Sequence, residues 1–134
     1  MKQIVFLSFV LLPFYSLAQI TLEHTFSPIL SPSVILFSSN GAKIVASDTG
    51  TNQVKIYNTN YTLWKTINVP SYPGYKFYNS TYVSDNLFNL DNSVELIATY
   101  QNVATYNWKS VIINESGTVI FDLGTVWAAS IHVI

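Results

Sequence analysis

Asn40 to Val69 reads NGAKIVASDTGTNQVKIYNTNYTLWKTINV, three short apolar-alternating runs separated by turn residues. Lys43 to Asp48 alternates, with Ile44 and Ala46 on one face. Thr49-Gly50-Thr51-Asn52 supplies turn chemistry, because glycine takes positive φ at no steric cost and Asn and Thr side chains bond their own backbone. Gln53 to Tyr57 sets Val54 and Ile56 against Lys55 and Tyr57, and after Asn58-Thr59-Asn60 the pattern places Leu63, Ile67 and Val69 together. A period of two, rich in β-branched and aromatic residues and broken by Gly/Asn/Asp clusters, predicts consecutive antiparallel strands. The stretch is a meander.

Upstream, Ile20 to Phe26 alternates as a lone strand, and Pro28 and Pro32 mark a loop, since proline cannot donate to a strand ladder. Val34 to Phe37 is a short apolar run of the kind covered on both faces. Asn40-Gly41 is a strong hairpin signal. Downstream, Pro70 to Gly74 opens an aromatic-rich connection holding Tyr72, Tyr75, Phe77, Tyr78 and Tyr82. Short strands are then expected at Tyr82–Ser84, Val94–Tyr100, Trp108–Ile113 and Thr118–Leu123, with another beginning at Val126. No stretch of the mature chain shows sustained helical periodicity.

The second half repeats the first. Phe37 to Gly41 matches Phe88 to Asn92, Lys43–Ala46 matches Glu95–Ala98, Ile56-Tyr57-Asn58 matches Ile112-Ile113-Asn114, and Leu63-Trp64 matches Val119-Ile120. The offset drifts from about 51 to about 56 residues, the added length falling in Gln101–Asn107, and a period near 50 with four strands per unit is the mark of propeller blades. The expected fold class is all-β, with blade-like units over about 33–69 and 82–123 and a third starting at 126–134. A β-sandwich is the alternative.

Four runs also carry a resemblance: LEHTF at Leu22–Phe26, KIYNTNYTLWKTINVP at Lys55–Pro70, YVSDNLFNLDNSVELIATY at Tyr82–Tyr100 and SVIINESGTVIFDLG at Ser110–Gly124. They resemble the amino-terminal region of large secreted Bacteroidota proteins that end in a type IX secretion sorting domain. The resemblance covers nearly all of the mature chain and implies a β-propeller-like repeat array. It implies no chemistry. The sequence departs from that pattern by ending at Ile134 without a sorting domain, so a truncated fragment is expected. An open carboxy-terminal edge with Ile131, Val133 and Ile134 would offer a surface for self-association.

Residues 1–18 read as a cleavable export signal: Lys2, the apolar run Ile4–Leu12, then Ser16-Leu17-Ala18 before Gln19. The run falls short of the roughly 20 residues that cross a bilayer, and Pro13 interrupts it. The expected location is therefore periplasmic or extracellular, with no membrane span after cleavage. The sequence contains no cysteine, so packing alone must hold the exported fold. Removing Lys2 from the six basic residues leaves five lysines and no arginine against seven acids, a balance that argues against nucleic acid.

Catalytic signals are sparse. His24 and His132 both sit on apolar faces, the five glycines are scattered singly, and no grouping has zinc-ligand spacing. Asp48 with Asn52, and Asp91-Asn92 with Glu95, are ordinary turn residues rather than a calcium loop. No cofactor or metal is called for. Asp85, Asp91, Glu95, Glu115 and Asp122 would make a glycosidase only if two of them converged. The candidate ligand-binding residues are Tyr72, Tyr75, Tyr78 and Tyr82, whose rings would stack on a glycan or a protein partner or else fill the gap between units. The reading is a secreted, non-catalytic β-repeat module of a binding or adhesion protein. The alternative is part of a secreted glycan-active enzyme.

Overall fold

The structure, a computed structural model, describes residues 24–27, 30–86, 88 and 91–128. The expected signal segment 1–18, the first half of the Ile20–Phe26 run, His132 and most of the expected third unit lie outside the described residues. Residues 24–27 carry no strand.

Eight strands form two four-stranded sheets. The first holds β1 (Leu30–Phe37), β2 (Gly41–Asp48), β3 (Gln53–Asn58) and β4 (Leu63–Asn68). The second holds β5 (Tyr75–Ser84), β6 (Glu95–Asn102), β7 (Trp108–Asn114) and β8 (Val119–Gly124). Each sheet follows chain order, and every pairing is antiparallel. Among the described residues there is no α-helix, and none long and apolar enough to cross a membrane.

The two sheets are the same unit used twice. Lys43 faces Asn58 across β2–β3 as Glu95 faces Asn114 across β6–β7. The bulge that carries Tyr57 opposite Leu63 recurs where Ile113 lies opposite Val119. The turns after β3 and β7 match as well. Asn58 N–H donates to Thr62 O and Asn114 N–H to Thr118 O, with Tyr61 and Gly117 both left-handed at φ 65° and 80°. The extra length of the second unit lies in the β6–β7 hairpin, which runs on through Gln101 opposite Trp108 before its turn.

Burial divides the faces. Phe37, Val45, Val54, Ile56, Ile67 and Val69 form one side of the core, and Phe77, Val83, Leu96, Ala98, Tyr100, Val111 and Ile113 the other. Burying each such aliphatic side chain stabilises by about 1.5–3 kcal/mol relative to exposure. In the repeat alignment these are opposite faces: Val45 corresponds to Ile97, whereas Leu96 corresponds to Ile44. The units therefore stack front to back. Polar contacts fix the stacking: Ser80 N–H donates to Ser47 Oγ at 2.9 Å, Tyr100 OH to Pro70 O at 2.8 Å, and Lys65 pairs with Glu115, which also accepts from Val94 N–H at 3.1 Å.

Four expectations are corrected. Val34 and Leu36 are 74% and 80% exposed, so β1 is covered on one face only. Pro32 lies inside β1 rather than in a loop, which an edge strand tolerates because its outer amides need no partner. Leu63 does not share a face with Ile67, because Trp64 is an extra residue of β4 between Leu63 opposite Tyr57 and Lys65 opposite Ile56. The second sheet opens at Tyr75, inside the aromatic connection, and not near Tyr82.

Candidate binding cleft

The strand that escapes the alternation pattern also shapes a cleft between the sheets. Phe77 lies opposite Tyr100 and Asn79 opposite Thr99, so Tyr78 is the extra residue of a bulge. An extra residue reverses the in–out order after it. Phe77 enters the core, at 2% exposure, and Tyr78 turns outward at 49%, while beyond the bulge it is Ser80, not Asn79, that faces the first sheet. A second irregularity between Thr81 and Ser84 holds Tyr82 at φ 50°.

Tyr78 stands at the rim of a cleft of about 330 Å³ between the two sheets, lined by Ser31, Thr49, Lys76, Phe77, Tyr78 and Gln101. Ser31 comes from the start of β1, Lys76 and Tyr78 from β5, and Gln101 from the end of β6. Thr49 is placed by the β2–β3 turn, where Asp48 Oδ1 accepts from the Gly50 and Thr51 amides at 3.1 Å each. Lys55 donates to Asp48 Oδ2 at 2.7 Å. That contact, with the Thr51 bonds, outweighs burial and holds the Asp48 carboxyl below its ordinary pKa.

Behind Tyr78 stand two tryptophans. Its ring meets Trp108 edge-on at 5.0 Å and Trp127 at 5.5 Å, and the two indoles lie 3.9 Å apart. Trp127 is delivered by the chain after β8, which is anchored where Ser110 Oγ donates to Val126 O at 2.8 Å. Neither tryptophan stands out as a site residue in the sequence. Trp108 reads as an ordinary strand position and Trp127 as part of a terminal apolar run.

The four candidate tyrosines are not gathered into one patch. Tyr72 meets Tyr100 edge-on at 5.0 Å, lies under the Lys109 ammonium, and packs with Tyr75 against the core. Burial, reinforced by Tyr72, pushes the Tyr100 phenol well above its ordinary pKa. Tyr78 alone of the four lines the cleft. His24 stacks on Tyr61 at 4.7 Å, beside Phe26.

Three of the acids that might have converged serve separate contacts. Asp85 receives the Ser38 and Ser39 amides at 2.8 Å each, Glu115 pairs with Lys65, and Asp122 pairs with Lys109 at 2.5 Å. The Lys109 contact holds the Asp122 carboxyl below its ordinary pKa. Among the described residues no three His, Cys, Asp or Glu side chains are grouped to hold a metal. The cleft thus offers a half-exposed phenol ring, an ammonium, an amide and two hydroxyls. Those groups suit recognition through stacking and hydrogen bonding. No family model, curated protein or solved structure matches the chain.

Proposed function

We propose that this chain is an exported, non-catalytic β-repeat module that binds extracellular glycans through the Tyr78 cleft, its two units built as consecutive propeller-type blades. The carrying observation is Tyr78 itself, a large outward-facing ring at a bulge in a core strand, held by edge contacts with Trp108 and Trp127. A ring held this way has little side-chain entropy to lose when a sugar stacks on it. Ser31, Thr49, Gln101 and Lys76 surround it with groups that bond sugar hydroxyls or an acidic sugar's carboxylate.

The front-to-back stacking supports blades over a sandwich of like sheets. Two equivalent sheets related by a two-fold would meet through the same face of each, whereas successive blades meet through unlike faces. The signal-like residues 1–18 support the export part of this reading, as does the resemblance to the front part of type IX-secreted proteins.

Retention of the protein on a panel of immobilised neutral and acidic oligosaccharides tests the binding role. The expected result is retention that weakens about tenfold or more in Tyr78→Ala, with circular dichroism showing the variant still folded at the assay temperature. Folded wild-type protein that no oligosaccharide retains refutes the glycan reading.

A further inference from the structure

We infer that the protein stacks on further copies of itself, the outer face of the first sheet in one copy seating on the outer face of the second sheet in the next. This surface is distinct from the Tyr78 cleft, and the inference stands without the glycan reading.

The register supplies the first argument. Across the outer face of the first sheet runs the row Val34–Ile44–Tyr57–Leu63. Its counterparts across β6–β8 are Leu96, Ile113 and Val119, of which Leu96 and Ile113 are buried in the core and Val119 lies at its margin, 37% exposed. The matching positions Ile44, Tyr57 and Leu63 stay apolar or aromatic, and Phe26 meets Tyr57 edge-on at 5.5 Å. Val34, Leu36 and Leu63 are 74%, 80% and 57% exposed there.

The complementary face repeats the same logic. Thr81–Ile97–Ile112–Phe121 crosses the outer face of the second sheet. It corresponds to Ser33–Val45–Ile56–Lys65, the row that receives the second sheet in the core. Where Lys65 pairs with Glu115 inside, the outer face carries Phe121, 60% exposed, with Ile120 beside it at 49%. The position that would meet it on an incoming copy, matching Glu115, is Thr59. A charged pair is thus replaced on both sides by uncharged groups.

Both outer faces are accessible in part: Val34, Leu36 and Leu63 are exposed on the first, and Ile120 and Phe121 on the second, where Ile97 at the centre of the row is buried at 2% exposure. His24 and Phe26 lie over Tyr57 and Tyr61 and leave Val34, Leu36 and Leu63 exposed. Val126 and Trp127 lie at the Ser110 and Trp108 end and leave Ile120 and Phe121 open. Each face also has a shallow cleft, about 280 Å³ beside Val34 and Ile44 and about 320 Å³ beside Ile112 and Phe121. Exposed apolar surface flanked by polar residues marks interaction sites. A contact between unlike faces leaves one of each kind free, so it propagates until a ring closes.

Sedimentation velocity on protein purified from an exporting host tests this, over concentrations up to ~100 μM. Wild type is expected to show species heavier than monomer that grow with concentration. Leu36→Lys/Leu63→Lys removes one face and Phe121→Lys the other. All three sites are exposed, so circular dichroism should show both variants folded. Each variant alone is expected to be monomeric, while an equal mixture forms a dimer and goes no further, because each supplies the face the other lacks. Three outcomes overturn the inference: monomeric wild type throughout, either variant assembling like wild type, or a mixture that stays monomeric. The second would mark a like-to-like contact or another surface, including the carboxy-terminal edge.

Discussion

The Asp85 carboxylate is the sharpest point at which to test how the two units are locked together. It is fully buried, and it accepts the Ser38 and Ser39 amides at 2.8 Å each, with Asn40 Nδ2 at 3.5 Å. One side chain of the second unit thereby closes the β1–β2 turn of the first. A hydrogen bond to a charged group contributes about 1.5–3 kcal/mol net, so two such bonds set an upper range of about 3–6 kcal/mol. The donors sit in an exposed turn where water can replace the carboxylate, which brings the expected loss for Asp85→Ala to about 2–3 kcal/mol. Asp85→Asn keeps one acceptor and should lose about 1 kcal/mol.

Acid provides an internal control. Burial acts to raise the Asp85 pKa, but the amides of Ser39 and Ser38, with Asn40, outweigh it and hold the carboxyl below the ordinary aspartate value. A depressed folded-state pKa means the stabilisation is complete above the unfolded value, near 4, and is lost as pH falls through the folded one. Urea titrations of wild type and Asp85→Asn at stepped pH should show a gap that is constant near neutrality and closes in acid. Asp48, Glu115 and Asp122 are depressed too, but they are common to both proteins and cancel in the difference. An Asp85→Ala loss under about 0.5 kcal/mol, within ordinary surface scatter, or a gap that persists below the folded pKa, would refute the argument.

Other expectations are more compact. Gly117→Ala forces a side chain into φ 80° and sets its Cβ 2.3 Å from Asn68 O, so denaturant titration should show a loss of about 2 kcal/mol or more. Tyr75→Ala, which strips a ring packed against the core, should lower the thermal midpoint by several degrees, on the scale of about 1–2 kcal/mol. Tyr100→Phe removes the bond to Pro70 O from the buried phenol and should lose about 1 kcal/mol by urea titration. Amino-terminal sequencing of the exported protein should begin at Gln19, and a chain that starts at Met1 would end the export reading.

Most strands were legible because their alternation is undisturbed. β2, β3, β6, β7 and β8 run close to where the period of two places them, and even the drift in the repeat offset traces to the longer β6–β7 hairpin. β5 was largely hidden. Its two irregularities put Phe77, Ser80 and Val83 on one face, a spacing of three that resembles neither a strand nor a helix of any length. β1 was misjudged because four consecutive apolar residues read as a doubly covered strand, and only the tertiary arrangement shows that Val34 and Leu36 face outward. The candidate site was legible to the extent of one residue, Tyr78. Trp127 reaches it from a sequence distance that no local pattern encodes, and the same is true of Asp85 and the turn it closes.

A building element whose two sides differ has a sense of direction, like a brick with studs above and sockets below. Adding another such element needs no new joint, because whichever end it meets already has the matching shape. Gene duplication can therefore lengthen an array of this kind one unit at a time. In the 134-residue chain, the exposed Val34, Leu36 and Leu63 at one end and Ile120 and Phe121 at the other are where such growth would begin.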